Sequence, residues 1–248
     1  MAEFVGHQSR TPDGYLQVTT GGIYWRYEGL IDPGSTGWIG ERVTSFKEVF
    51  VAGYSLADQP VAALSSASGS FATIVAAAGG INIRVTRIGS DPVMIYLFTN
   101  RRPTDPGMGA VMYDANQKPV WSALTPTLNP IGVFDNAGYV GLPLAGRSCA
   151  HISQRRAATT ELIFTAGNLG SCTYSGTSGT PTAGYDIRRQ DRDSATLVRC
   201  QGATVSAHGA TFLGSSTPFQ CSTSPTPPSG AASVQSKYRS VIIDVTNF

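Results

Sequence analysis

Residues that could carry out catalysis are few in this sequence, and they lie far apart. The three histidines, His7, His151 and His208, stand in no recognisable catalytic motif, and the Gly-x-Ser-x-Gly pattern of a nucleophile elbow is absent. A triad is recognised by its geometry in space, so the sequence leaves a serine–histidine–acid site open. Distant carboxylates can also meet in a fold, so a polysaccharide hydrolase stays open as an alternative. It ranks lowest, because nothing in the sequence indicates which two carboxylates would pair. We expect the chain not to be an enzyme.

The cysteines Cys149, Cys172, Cys200 and Cys221 all lie in the second half of the chain. They include no Cys-x-x-Cys pair and have no histidine at ligand spacing, so a zinc site is not expected. Four cysteines allow three disulfide connectivities. We expect two disulfides, sequential or nested, that staple loops rich in Gly, Ser and Thr. The alternative is four buried free thiols, as in a protein that matures in a reducing cytosol.

Acidic residues are densest at Asp186, Asp191 and Asp193, where the spacing resembles the start of a calcium loop. The glycine and the distal glutamate of such a loop are missing, and three interleaved arginines favour local ion pairs instead. No glycine-rich phosphate motif followed by Lys and Ser or Thr occurs. The sequence therefore predicts no bound metal and no cofactor.

Aromatic side chains are the remaining candidates for binding, because their faces can stack on sugars. Four rings could do so, those of Tyr24, Trp25, Trp38 and Tyr54. Trp38 stands between turn-forming residues, and Trp38 and Tyr54 are the candidate contacts with a surface or a glycan. The alternative for Trp38 is that it packs a loop onto the core, since an aromatic ring gains much area by burial. Trp25 and Trp121 are expected in the core or at an interface.

The composition predicts a folded, strand-rich protein with many loops. Charged residues are 14% of the chain, against roughly 25% in typical soluble domains, while 41% of residues are hydrophobic and the chain holds 28 Gly and 15 Pro. A net charge of +2 is too small to indicate binding to nucleic acid. No apolar run reaches the length of a membrane span, and the first residues lack the basic and apolar regions of a signal peptide.

Alternation of apolar and polar residues predicts most of the secondary structure. It predicts strands at residues 81–88 and 241–245, and the continuous apolar run 93–98 indicates a strand buried on both faces. Turn residues at 89–92 suggest that the two strands they separate form a hairpin. Helical signals are poor, and residues 56–78 allow at most one short helix.

We expect an all-β fold in two regions. Residues 101–109 have the composition of a linker or long turn and are the candidate domain boundary. Residues 1–100 are expected to form a β-sandwich-like domain. Residues 110–248 are expected to form a loop-rich β domain that contains every cysteine, and loops of this kind tend to carry contacts.

The clearest local signal is a hairpin that spans residues 111–122. Val111 and Tyr113 lead into a turn whose first aspartate can accept a hydrogen bond from the backbone two residues on, and the chain returns through Val120 and Trp121. A proline in the return strand favours a position at a sheet edge. These four residues are therefore candidate contacts with another chain, because an edge strand needs a partner or a cover. A weaker echo of the same pattern follows about twenty residues later.

This hairpin resembles one that recurs in tail-tip and tail-fibre-associated proteins of long-tailed bacteriophages. The resemblance is carried by the run Val-Met-Tyr-Asp-Ala-Asn-Gln-Lys-Pro-Val-Trp-Ser that begins at Val111. Gln117 stands where the pattern prefers Gly, and Pro119 interrupts the return strand. The resemblance implies a structural virion protein of a tail tip, baseplate or fibre that is assembled in the host cytoplasm.

The same resemblance implies which partners the chain has. They would be copies of itself in a closed symmetric assembly, other tail proteins, and a glycan or protein of the host surface. The alternative is a carbohydrate- or surface-binding β module with no virion role, which would use loop aromatics such as Trp38.

Overall fold

The computed structural model describes residues 24–41, 43–102, 111–113, 116, 118–122, 126–155, 157–166, 185–213, 217–222 and 238–248. These residues form β-strands and one short 3-10 turn, Leu56–Asp58, so the all-β fold expected from the sequence is confirmed. The strands are β1 (Arg26–Ile31), β2 (Ile39–Glu41), β3 (Thr44–Ala52), β4 (Val61–Ala77), β5 (Gly80–Arg87), β6 (Val93–Thr99), β7 (Val111–Tyr113), β8 (Pro119–Ser122), β9 (Pro130–Asp135), β10 (Gly138–Gly141), β11 (Cys149–Arg155), β12 (Ala157–Ala166), β13 (Tyr185–Gln201), β14 (Thr204–Leu213), β15 (Thr217–Ser222) and β16 (Arg239–Asp244).

Fourteen of these strands form one antiparallel sheet. Its main path runs β10-β9-β16-β11-β4-β5-β3-β2. Two strands branch from this path at β4. Strand β6 pairs with β4 and with β1, and β13 pairs with β4, β12, β14 and β15. Strands β7 and β8 form a separate sheet of two strands. The strand predicted at 241–245 is β16, which lies in the middle of the main path between β9 and β11.

Strand β4 organises this sheet because it is 17 residues long and pairs with different strands along its length. Its first part, residues 61–66, pairs with β6, and its last part, residues 70–77, pairs with β5. The predicted hairpin between β5 and β6 is therefore wrong. The two strands follow one another along β4 in the same direction, and residues 88–92 interrupt the line without reversing it.

Small residues allow other strands to approach β4 closely. A Cβ atom on Gly69 would lie 2.9 Å from the Cβ of Leu197 and 3.0 Å from that of His208, so only glycine fits without a shift. The hydroxyl groups of buried serines on β4 have partners: Ser66 donates to the carbonyl of Pro92 at 3.0 Å, and Ser68 donates to Asp91 at 2.8 Å. This Ser- and Ala-rich stretch is thus a central strand, and the helical turn allowed by the sequence is limited to Leu56–Asp58.

The core lies on both faces of β6, as its unbroken apolar run predicts. Ile95 and Leu97 pack in one buried cluster with side chains of β4 and β5. Phe98 is fully buried in another, where it meets Ala150 of β11 and Ile243 of β16. This second cluster joins strands from both halves of the sequence.

The candidate domain boundary at residues 101–109 lies mostly outside the described residues, and the division into two domains stays a prediction. Strands from both sides of it share the main sheet, since β4 pairs with β11 and β13. The region 186–193, where the acidic residues cluster, belongs to β13.

Candidate functional site

The predicted hairpin is confirmed as the pair β7–β8. Val111 pairs with Ser122 and Met112 with Trp121, and the register shifts before Tyr113 pairs with Pro119. Proline has no N–H to give to a ladder, and in a two-stranded ribbon it can face away from the partner strand. Tyr113 is 50% exposed. The side chain of Val120 lies outside the described residues.

The echo of this hairpin is also confirmed, as the pair β9–β10. Its turn begins with Asp135, whose Oδ1 accepts a hydrogen bond from the backbone N–H of Ala137 at 2.8 Å. Tyr139 lies across Gly132, where an added Cβ would come within 2.6 Å of its ring. Strand β10 ends the main path of the sheet, and Val140 on it is 73% exposed.

An open groove of about 660 Å³ lies beside the first hairpin. Three segments that are distant in sequence form it: the residues at the start of β1, the stretch that follows β8, and the last residues of the chain. Its walls carry aromatic rings and polar side chains together, among them Tyr24, Trp25, Trp121, Asn129, Asp244 and Asn247. Its volume lies within the range of ligand sites, roughly 300–1,000 Å³, and its walls offer both ring surfaces and hydrogen-bonding groups.

Backbone hydrogen bonds hold the groove together. Tyr27 donates its N–H to the carbonyl of Pro126 at 2.8 Å, and Leu128 donates to the carbonyl of Trp25 at 2.8 Å. The indole N–H of Trp25 donates to the carbonyl of Gln59 at 3.1 Å, which fixes the ring. The segment after β8 is thereby attached to the edge of β1.

Asp244 supplies the carboxylate of the groove wall, and its oxygens already accept hydrogen bonds. Oδ1 accepts from the N–H of Thr246 at 3.0 Å and from its hydroxyl at 2.5 Å, while Oδ2 accepts from Arg147. Burial acts to raise the pKa of Asp244, but the bonds from Thr246 and Arg147 outweigh it and hold the pKa below its ordinary value. The group is therefore a fixed, ionised acceptor. It has no second carboxylate beside it among the described wall residues, as two-carboxylate hydrolysis of a glycoside would need.

A serine and a histidine do meet, but in the interior. The Oγ of Ser70 lies 3.0 Å from Nε2 of His151, and the Oγ of Ser153 lies 2.8 Å from its Nδ1. Ser70 and His151 are 0% exposed. Burial lowers the pKa of His151 to about 3, so the ring is neutral at physiological pH. A substrate cannot reach this pair. Its hydrogen bond joins a side chain of β4 to one of β11 inside the protein.

The candidate glycan contacts from the sequence lie away from the groove. Trp38 packs against the core cluster of β4, β5 and β6 and donates its indole N–H to the carbonyl of Gly34 at 2.9 Å. The guanidinium of Arg87 lies over its ring at 3.8 Å. Tyr54 donates to Glu28 at 3.3 Å and lies under the guanidinium of Arg101.

Two of the four cysteines, Cys149 and Cys200, lie in the same part of the core. Cys149 and Cys200 are free, fully buried thiols in one apolar cluster. Cys172 lies outside the described residues, and so does the side chain of Cys221. The disulfide state therefore stays a prediction.

Sequence reasoning missed the groove, although it named three aromatic residues in its wall, Tyr24, Trp25 and Trp121. Trp25 and Trp121 were expected in the core or at an interface, which fits their half-buried position. Asn129 and Asp244 stand in no local motif. Only the antiparallel pairing of distant strands brings them beside the aromatic rings.

Within the described part of the chain, no three His, Cys, Asp or Glu side chains are close enough to hold a metal ion. The same residues include no helix that is long and apolar enough to cross a membrane. Comparison with protein-family models, with curated proteins and with solved structures finds no match to this chain. Any functional assignment therefore rests on its own residues.

Proposed function

We propose that this chain is a non-enzymatic structural protein of a bacteriophage tail, at the tip, the baseplate or a fibre. It assembles there with copies of itself and with other tail proteins, and it contributes to contact with the host surface. The observation that carries the proposal is the hairpin β7–β8, because the segment that resembles tail proteins folds as a ribbon of its own.

The hairpin has the properties of a contact element. Within the part of the chain that the structure describes, β7 and β8 pair only with each other. A two-stranded ribbon alone is marginally stable, so contact with another element or another chain would stabilise it. Tyr113 presents a half-exposed aromatic ring on it, and aromatic residues are enriched at the centres of interfaces.

The test is self-association of the full chain, measured by light scattering over a range of concentrations. We expect an oligomer of defined size, and we expect Tyr113→Lys to weaken its association by roughly tenfold or more, because a desolvated anchor is replaced by a charge. Leu56→Lys is the matched control, since Leu56 is 49% exposed against 50% for Tyr113 but lies in the 3-10 turn.

A chain that stays monomeric at every concentration would count against assembly through the hairpin. Equal weakening by both substitutions would show that added charge, and not the hairpin, controls association. Melting temperatures of both variants establish that the fold is kept.

The groove favours a second function, that of a carbohydrate-binding module. Ring faces of Trp25 and Trp121 suit the apolar face of a sugar, while Asp244 and the neighbouring amides suit its hydroxyl groups. The two functions are compatible, since a tail protein that contacts a host can do so through a surface glycan.

Titration with bacterial surface oligosaccharides selected from a glycan array tests the second function. We expect Trp121→Ala to weaken binding by roughly tenfold, because one stacking surface is lost. Trp38→Ala is the control, because Trp38 packs outside the groove against Arg87. If no oligosaccharide binds, or if Trp38→Ala abolishes binding while Trp121→Ala leaves it intact, the groove is not the glycan site.

A further inference from the structure

Two buried thiols on different strands face each other inside the sheet. Cys149 begins β11, and Cys200 lies one residue before the end of β13. The N–H of Cys149 donates to the carbonyl of Gly202 at 2.9 Å, which brings the two strand ends together. Both side chains are 0% exposed, belong to one apolar cluster and are hydrogen bonded to each other.

We propose that Cys149 and Cys200 form a crosslink, a dithiol that closes to a disulfide when the chain folds in the presence of a small-molecule disulfide, outside a reducing compartment. The two residues are placed for such a bond, because both lie in one apolar cluster, their strand ends are joined by a backbone hydrogen bond, and both strands pair with the same stretch of β4, Cys200 opposite Ser66 and His151 opposite Leu64. The proposal does not depend on a role in a phage tail.

The chemistry is thiol–disulfide exchange. Cys149 loses its proton, and its thiolate attacks the small disulfide to form a mixed disulfide and release one thiolate, which takes up a proton. Cys200 then loses its proton and attacks the sulfur of Cys149, which expels the second small thiol. Two thiols of the protein are oxidised, and one small disulfide is reduced to two thiols.

The surroundings decide which thiol attacks first. The hydrogen bond with Cys200 lowers the pKa of Cys149, and the charge of Arg147 acts in the same direction. The same bond, together with burial, raises the pKa of Cys200. The thiolate is the nucleophile in such exchange, so Cys149 is the attacking residue.

This pairing selects one of the three connectivities. It joins the first cysteine to the third, and it leaves Cys172 and Cys221 as the remaining pair. The sequence favoured a sequential or nested arrangement, and the contact between Cys149 and Cys200 favours the interleaved one instead.

The test uses the full chain with Cys172→Ser and Cys221→Ser, so that only Cys149 and Cys200 remain. It is refolded in a buffer of reduced and oxidised glutathione, because the folded protein shields both thiols. We expect the thiol count under denaturing conditions to fall from two to zero, and a peptide map to join the segments that contain Cys149 and Cys200. The further substitution Cys149→Ser gives the control, in which one thiol remains.

Closure is also expected to raise the melting temperature by roughly 5–15 °C relative to the reduced protein, because it closes a loop of about fifty residues in the unfolded chain. The wild-type chain, refolded in the same buffer, provides a second readout by peptide mapping. Two free thiols in the refolded double variant, or a wild-type map that joins Cys149 to Cys172 or Cys221, would overturn the proposal.

Discussion

His151 shows how this protein uses a polar residue in its interior. The ring is fully buried between two serine hydroxyls, Ser70 on β4 and Ser153 on its own strand. Each ring nitrogen therefore has a partner, which a buried polar group needs if it is not to destabilise the fold. The sequence identified His151 only as an isolated histidine, because Ser70 lies 81 residues away from it in the chain.

The stability of the fold should depend on pH through His151. The pKa of this ring is about 3 in the folded protein, whereas an unfolded histidine titrates near 6.5. Between these values the unfolded chain takes up a proton that the folded one does not, so stability falls as pH decreases from 6.5 towards 3, by about 1 kcal/mol per pH unit. We expect His151→Gln to remove this part of the slope in urea unfolding measured from pH 7 to pH 4. An unchanged slope in the variant would show that His151 is protonated in the fold.

At the scale of elements, local signals correctly predicted two hairpins, β7–β8 and β9–β10, and wrongly predicted a third between β5 and β6. Asp135 accepts a hydrogen bond from the backbone two residues on, which is the bond that the sequence predicts for the first aspartate of the sister hairpin, a residue outside the described ones. Turn chemistry of this kind involves neighbours in the chain, so it can be read from sequence. Residues 89–92 are also turn formers, yet they do not reverse the chain. They separate β5 from β6, which follow one another in the same direction because both pair with the long strand β4. That outcome depends on a partner far away in sequence.

The crossing of β13 and β14 over β4 depends on the small size of Gly69. Its position lies under Leu197 and His208, which pair with each other across those two strands. We expect Gly69→Ala to destabilise the protein by about 1–3 kcal/mol in urea unfolding, because the added methyl would press against the Cβ atoms of Leu197 and His208. Gly40→Ala on β2 is the control, since its Cβ would meet nothing within 4 Å, and it should change stability by less than about 0.5 kcal/mol. Equal effects of the two substitutions would contradict this account of the crossing.

At the scale of the whole molecule, one sheet unites strands from both halves of the sequence. The all-β class was predictable from composition and alternation, but the pairing of β4 with β11 and β13 was not, because strand partners far apart leave no periodic signal. The aromatic groove follows from backbone hydrogen bonds that join residues 126–129 to Trp25, Tyr27 and Asp244, and the clustering of Cys149 with Cys200 follows from the pairing of both their strands with β4. The hairpin β7–β8 forms a sheet of its own, and its Trp121 lines the groove, so the two candidate contact surfaces adjoin at this residue.

The central claim is that the chain is a structural part of a phage tail, and its location in particles tests that claim most directly. Tailed particles released from cells that encode the chain are purified on a density gradient and labelled with gold-conjugated antibody raised against the full chain. We expect peptides of the chain in the particle fraction by mass spectrometry and gold at the end of the tail by electron microscopy. A chain that stays in the soluble fraction, or gold on the capsid alone, would contradict the assignment.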